Sequence, residues 1–172
     1  METKLDILRR YFGYTSFRRG QEEIVDALLT GRDALCVMPT GAGKSVCYQV
    51  PALLLPGITL VISPLISLMK DQVESLTQAG VHAAYLNSSL TPAQYSRALH
   101  NLSEGLYKLV YVAPERLSTE NFRTAVENLN ISLIAVDEAH CVSQWGQDFR
   151  PDYLKIAEFA ESLKNRPTIG AF

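Results

Sequence analysis

The chain has 172 residues, 47% of them apolar and 20% charged, with a net charge of −2 and a pI near 5.9. These values fit one globular domain with a sizeable core. They exclude a protein that coats nucleic acid by bulk charge, though not one that carries a local basic strip. Cys36, Cys47 and Cys141 are an odd number, far apart and without a C-x-x-C pair. That argues against a disulfide framework or structural zinc, and for reduced, buried thiols in a cytoplasmic protein. The start, "METKLDILRR", mixes charges into its apolar residues and is no signal peptide. The most apolar run, "VCYQVPALLLPGITLVISPLISLM", is broken by three prolines and a glycine, so buried strands and helices are expected there and no membrane span.

In chain order, helices are predicted over 3–12 and 19–29, the second stopped by Gly31. "DALCVM" (33–38) reads as a short apolar strand, followed by a Gly-rich turn and a helix from about Lys44. "ITLVIS" (58–63) is a second strand, and the helical spacing of "ISLMKDQVESLTQAG" ends on Gly80. "VHAAYL" (81–86) is a third strand. The next helix has Thr91 as N-cap and Pro92 at its first position, and closes on Gly105. "KLVYVA" (108–113) is a fourth strand, "ENFRTAVENL" a helix and "SLIAVD" (132–137) a fifth strand. Residues 152–164 read as a helix, and "PTIGAF" begins a further strand. Continuous apolar strands alternating with helices predict an α/β fold, a mainly parallel sheet with helices on both faces. Ligands of such sheets sit beyond the carboxyl ends of strands, where the loops after Met38 and after Val136 both lie. Phe172 falls inside the last predicted strand with no turn or cap behind it, so a truncation point is expected there.

Two of these loops carry chemistry. In "MPTGAGKS" (38–45), Gly41, Ala42 and Gly43 let the backbone turn tightly and aim N–H groups at phosphate oxygens, and the positive end of the following helix adds to them. Lys44 can reach the β- and γ-phosphates, and the Ser45 hydroxyl can ligate Mg²⁺. Met38 stands where the general G-x-x-x-x-G-K-[ST] pattern has its first glycine. Roughly 90 residues later, Asp137 and Glu138 end an apolar strand. An aspartate there can hold the Mg²⁺ that Ser45 touches, leaving the glutamate to orient and deprotonate a water. His140 is either a surface histidine or a link from the nucleotide to something beyond it. "TKLD" (3–6) matches a guanine-reading pattern, but it precedes the phosphate loop and sits in a helix, so it is set aside.

The stretch "CVSQWGQDFRPDY" (141–153) follows at once, with the chain's one tryptophan, and is too polar for a core. On these motifs the chain resembles the first motor lobe of RecQ-type DNA helicases of superfamily two, over nearly its whole length. The resemblance implies a RecA-like P-loop NTPase domain over residues 1–172, with ATP and Mg²⁺ as cofactors. In "FGYTSFRRGQEEIV" (12–25) it implies an adenine site: Gln21 on the adenine edge, Arg18 beside it, Tyr14 stacked on the base. "MPTGAGKS", including Thr40 and Met38, is similar to the family's first helicase motif. "VISPLISLMKDQ" (61–72) and "LVYVAPERL" (109–117) resemble DNA-side motifs, and "DEAH" (137–140) the second helicase motif, with Lys44, Asp137, Glu138 and His140 in the catalytic roles. The aromatic-rich loop is the most specific of these signals. Trp145 and Phe149 offer faces for stacking on bases of single-stranded or partly duplex DNA, and Arg150 a contact to a phosphate or a base face; the alternative is that the two aromatics only pin the loop to the core. The family continues with a Thr-Ala-Thr motif, a second motor lobe with an arginine finger, and C-terminal domains. Those parts lie outside this chain, so unwinding, from 3′ to 5′ and in recombination and repair, is expected of the parent protein, in the cytoplasm and at the nucleoid if bacterial. Two alternatives stay open: a stand-alone P-loop ATPase or switch, and a short DNA- or protein-binding module.

Overall fold

A computed structural model describes residues 2–39 and 41–172. Thr40 lies outside the described residues. Along the chain run α1 (Lys4–Phe12), α2 (Gln21–Leu29), β1 (Ala34–Leu35), α3 (Lys44–Leu54), β2 (Ile58–Ile62), α4 (Ile66–Gln78) and β3 (Ala83–Leu86). Then come α5 (Pro92–Ser103), β4 (Leu109–Val112), α6 (Glu120–Val126), β5 (Ile131–Val136), α7 (Ile156–Ser162) and β6 (Thr168–Ala171). The strands form one sheet in the order β1-β6-β5-β2-β4-β3, and every described pairing is parallel.

The two-residue period of the strands divides the core. Leu60, Ile62, Val110, Val112, Ile134 and Val136 pack on one face with Tyr95, Phe122 and Phe159 of α5, α6 and α7. Val61, Leu109, Tyr111, Leu133 and Ala135 pack on the other with Cys47 and Tyr48 of α3 and Met69 and Val73 of α4. Each large aliphatic or aromatic side chain fully buried this way contributes about 1.5–3 kcal/mol. Helix α3 lies between the sheet and a further layer, because Val46 and Val50 meet Ile7 and Leu8 of α1 and Val25 of α2. A helix covered on both sides is apolar all round, which accounts for the long apolar run there. The three cysteines are free and buried. Thr91 caps α5 as expected, its hydroxyl accepting from the Gln94 N–H at 3.2 Å.

Two elements differ from the sequence expectation. The strand expected over 33–38 is regular only at Ala34–Leu35, and Leu35 and Val37 are 71% and 89% exposed. The cause is position: β1 is an edge strand paired only with β6 among the described residues, so no neighbouring strand covers its outer side. The helix expected over 152–164 begins instead as a 3₁₀ turn, Pro151–Lys155, and becomes α-helical at Ile156. Proline at the start of that turn sets its backbone and offers no N–H to the preceding loop.

The site-bearing loops leave the same edge of the sheet. The phosphate loop follows β1 and the acidic segment follows β5, with β6 between the two strands. The loop after β2 lies beside the acidic segment, because Ile62 is in register with Val136.

Candidate functional site

Gly41 and Gly43 both have φ of +80°, and Gly43 is the N-cap of α3. A left-handed cap at this point requires glycine: a Cβ on Gly43 would lie 2.7 Å from Gln21 Nε2. Three consecutive carbonyls of the loop are bonded from outside. Arg18 Nη1 donates to Gly41 O at 3.0 Å, and Gln21 Nε2 donates to Ala42 O and Gly43 O at 3.1 and 3.0 Å. Gln21 Oε1 in turn accepts from the Arg18 N–H at 2.8 Å. Gln21 is 3% exposed, so in this structure its amide serves the loop. Tyr14 is exposed, and the Arg18 guanidinium lies 6.0 Å from its ring centre. The residues expected at an adenine are thus gathered against the phosphate loop. Lys44 and Ser45 form the first turn of α3.

Asp137 is buried at the end of β5, and its N–H donates to Ile62 O at 2.8 Å. Its carboxylate accepts from Ser63 Oγ at 3.2 Å. Its main-chain carbonyl accepts from the Tyr153 hydroxyl at 2.7 Å. Burial holds the Asp137 carboxyl above its usual range, and the neighbouring Glu138 adds to this, while the Ser63 hydrogen bond and the charge of Lys44 oppose it. Glu138 has φ of +52°, the one non-glycine residue with positive φ among the described residues. Such a conformation costs about 1–2 kcal/mol, and strain of this kind collects at functional sites. His140 stands between two carboxylates, with Nδ1 3.4 Å from Glu138 Oε2 and Nε2 3.6 Å from Asp148 Oδ2. One of these belongs to the acidic segment and the other to the aromatic-rich loop.

In that loop Trp145 is 98% exposed, packing on nothing in the domain. Phe149 is half-buried and Arg150 exposed, and the Arg150 N–H donates to Cys141 O at 2.9 Å. The loop is therefore anchored at 141–150 and at Tyr153, and presents its tryptophan between the anchors.

Ser45 and Asp137 offer hard oxygen ligands, and no group of three or more His, Cys, Asp or Glu able to hold a metal occurs among the described residues. One carboxylate and one hydroxyl suit Mg²⁺, which keeps waters and takes phosphate oxygens where a protein cage is lacking. Ser63, Tyr153 and Asp148 escaped the sequence reading as site residues. Ser63 follows β2 as Asp137 follows β5, but only the pairing of those strands makes them neighbours.

Comparison with known proteins agrees with this geometry. The sequence model of the family described as DEAD/DEAH box helicase matches residues 18–171. The chain is 51% identical over 166 residues to the ATP-dependent DNA helicase RecQ of Pasteurella multocida (strain Pm70), covering 96% of this chain and 26% of that protein. It is 49% identical over 166 residues to the protein of the same name from Bacillus subtilis (strain 168), covering 96% and 28%. The chain thus spans about a quarter of the length of these curated relatives. Among solved structures, a hypothetical ATP-dependent RNA helicase from Sulfolobus tokodaii superposes with a TM-score of 0.74 at 21% identity, over 100% of this chain and 50% of that one. That likeness bears on the fold alone.

Proposed function

We propose a function from one established premise: the chain belongs to the DEAD/DEAH box helicase family. Membership implies use of ATP. The finer reading is that this chain is the nucleotide-binding motor lobe of a longer ATP-dependent DNA helicase. It couples Mg-ATP hydrolysis to movement on single-stranded DNA, 3′ to 5′, and to duplex opening in recombination and repair in the cytoplasm. The observation that carries it is the short path from Glu138 through His140 to Asp148, in the loop that exposes Trp145. A fully exposed tryptophan in that loop offers a stacking face that a nucleotide switch without a track does not require.

In this reading the loop amides of Gly41–Gly43 and the Lys44 ammonium bind the phosphates, the loop shape being kept by Arg18 and Gln21. Ser45 and Asp137 would hold Mg²⁺, which when bound neutralises charge on the phosphate oxygens. Glu138 orients the attacking water and takes its proton. Trp145 and Phe149 offer stacking faces worth about 1–3 kcal/mol per base, tolerant of sequence, and Arg150 adds a contact to phosphate. A second motor lobe supplies the transition-state arginine, worth about 10³–10⁵ in rate in comparable systems, so the lobe alone turns over slowly.

The test is ATPase of the full-length protein with and without single-stranded DNA. Wild type should be stimulated, and Trp145→Ala should keep basal turnover but lose the stimulation. A Trp145→Ala protein stimulated like wild type refutes the coupling role. A wild type that ignores DNA favours the stand-alone ATPase.

A further inference from the structure

Ser63 follows the last residue of β2 and is 1% exposed. Its N–H donates to Val112 O at 3.2 Å, which fixes its backbone to the end of β4. Its hydroxyl has two partners of different kinds. It donates to the Asp137 carboxylate at 3.2 Å and accepts from the Leu65 N–H at 3.3 Å. Leu65 is the N-cap residue of α4, and its side chain cannot itself cap the helix. One buried hydroxyl therefore orients the proposed metal carboxylate and also holds the turn that starts α4.

A second polar contact joins α4 to α3, the helix that carries the other proposed metal ligand. Gln72 Oε1 accepts from Gln49 Nε2 at 2.7 Å, and the same Nε2 donates to the Tyr111 hydroxyl at 2.9 Å. Gln49 is buried on α3, one turn after Ser45. Helix α4 thus touches α3 directly and reaches Asp137 through Ser63, which bonds its N-cap residue, while Leu65, Ile66 and Leu68 at its start remain exposed. A buried carboxylate that loses a hydrogen-bond donor reorients or takes up water. Groups that hold a metal ligand from behind typically change metal affinity by about 10–100-fold when removed.

From this arrangement we infer that Ser63 is a positioning residue. It sets the direction of the Asp137 carboxylate toward the proposed metal position, from the turn 63–65 that also starts α4. The inference rests on the proposed Mg-nucleotide site.

The experiment uses the full-length protein in three forms: wild type, Ser63→Ala and Ser63→Thr. Two titrations of Mg²⁺ are read. One follows steady-state ATP hydrolysis, and the other follows the rise in melting temperature that Mg²⁺ produces in the presence of ADP, which needs no turnover. Ser63→Ala should require about tenfold more Mg²⁺ in both titrations, while its melting temperature without nucleotide falls by no more than the few degrees that a lost buried hydrogen bond costs. Ser63→Thr, which keeps the hydroxyl, should stay within about threefold of wild type, since the retained donor preserves the contact. An unchanged Mg²⁺ requirement in Ser63→Ala overturns the inference. A Ser63→Ala protein that melts far below wild type and binds ADP poorly with and without Mg²⁺ makes Ser63 structural, and overturns it too. A wild type without Mg²⁺-dependent hydrolysis would instead sink the site itself, so the two failures are told apart.

Discussion

Removing one oxygen from Tyr153 tests how the aromatic-rich loop is tied to the catalytic strand. The ring is buried among the apolar residues of the α5–α7 face, and Tyr153→Phe keeps that packing. What is lost is the 2.7 Å hydrogen bond to the Asp137 carbonyl, in a place where water has little access. Leaving a buried acceptor without its donor costs about 1–3 kcal/mol. For a domain of this size 1 kcal/mol shifts the melting temperature by about 2–4 °C, so a fall of about 2–12 °C is expected. Trp145→Ala is the control. It lies eight positions away in the same loop and deletes a far larger side chain, yet at 98% exposure it has no packing to lose. Substitutions of that kind stay within about 0.5 kcal/mol, or about 2 °C or less. Differential scanning calorimetry of the two variants beside wild type makes the comparison. A Trp145→Ala protein that melts several degrees low, with Tyr153→Phe unchanged, would refute the assignment of anchor and free face.

Glu138→Gln in the full-length protein should leave ATP affinity nearly unchanged and abolish hydrolysis, whereas Lys44→Ala should weaken binding by deleting a charge that faces the phosphates. Equilibrium binding of a fluorescent ATP analogue beside steady-state turnover separates the two. Gly43→Ala forces a Cβ onto a left-handed residue 2.7 Å from Gln21 Nε2. The backbone cost of about 1–2 kcal/mol is present with or without nucleotide, so it should lower the melting temperature by about 2–8 °C. Asp33 accepts from Arg166 at 2.6 Å and from the Ile169 N–H at 2.9 Å, tying the start of β1 to β6. The Arg166 hydrogen bond holds its carboxyl below the usual range. Its contribution is therefore present above the unfolded-state carboxylate pKa and lost as pH falls through the lowered folded value. Asp33→Asn should cost a small amount at pH 7, because the pair is half exposed and screened by salt. Melting curves of variant and wild type should converge at acid pH, and a constant gap down to pH 2 would contradict the linkage.

The sequence alone determined the features that a few adjacent residues decide. "MPTGAGKS" between a strand and a helix specifies a phosphate loop, because glycine torsions, helix N-terminal amides and a lysine all act within one turn of backbone. Thr91–Pro92 specifies a helix start for the same reason, and continuous apolar strands alternating with helices specify a parallel sheet. "DEAH" and the aromatic-rich loop were legible as a contiguous pattern. The tertiary structure decided everything that depends on which strands lie side by side. The order β1-β6-β5-β2-β4-β3 leaves β1 at an edge, so an apolar run read as a buried strand is two regular residues with Val37 in solvent. The same order sets Ser63 against Asp137, 74 residues apart in the chain. It is the folded loop that returns Tyr153 to the Asp137 carbonyl and packs the Gln21 amide against the loop carbonyls. A serine after one strand, a tyrosine after a loop and a glutamine on a helix carry no local mark of such roles. Their partners are chosen by the summed packing of both faces of the sheet, which no short window of sequence contains.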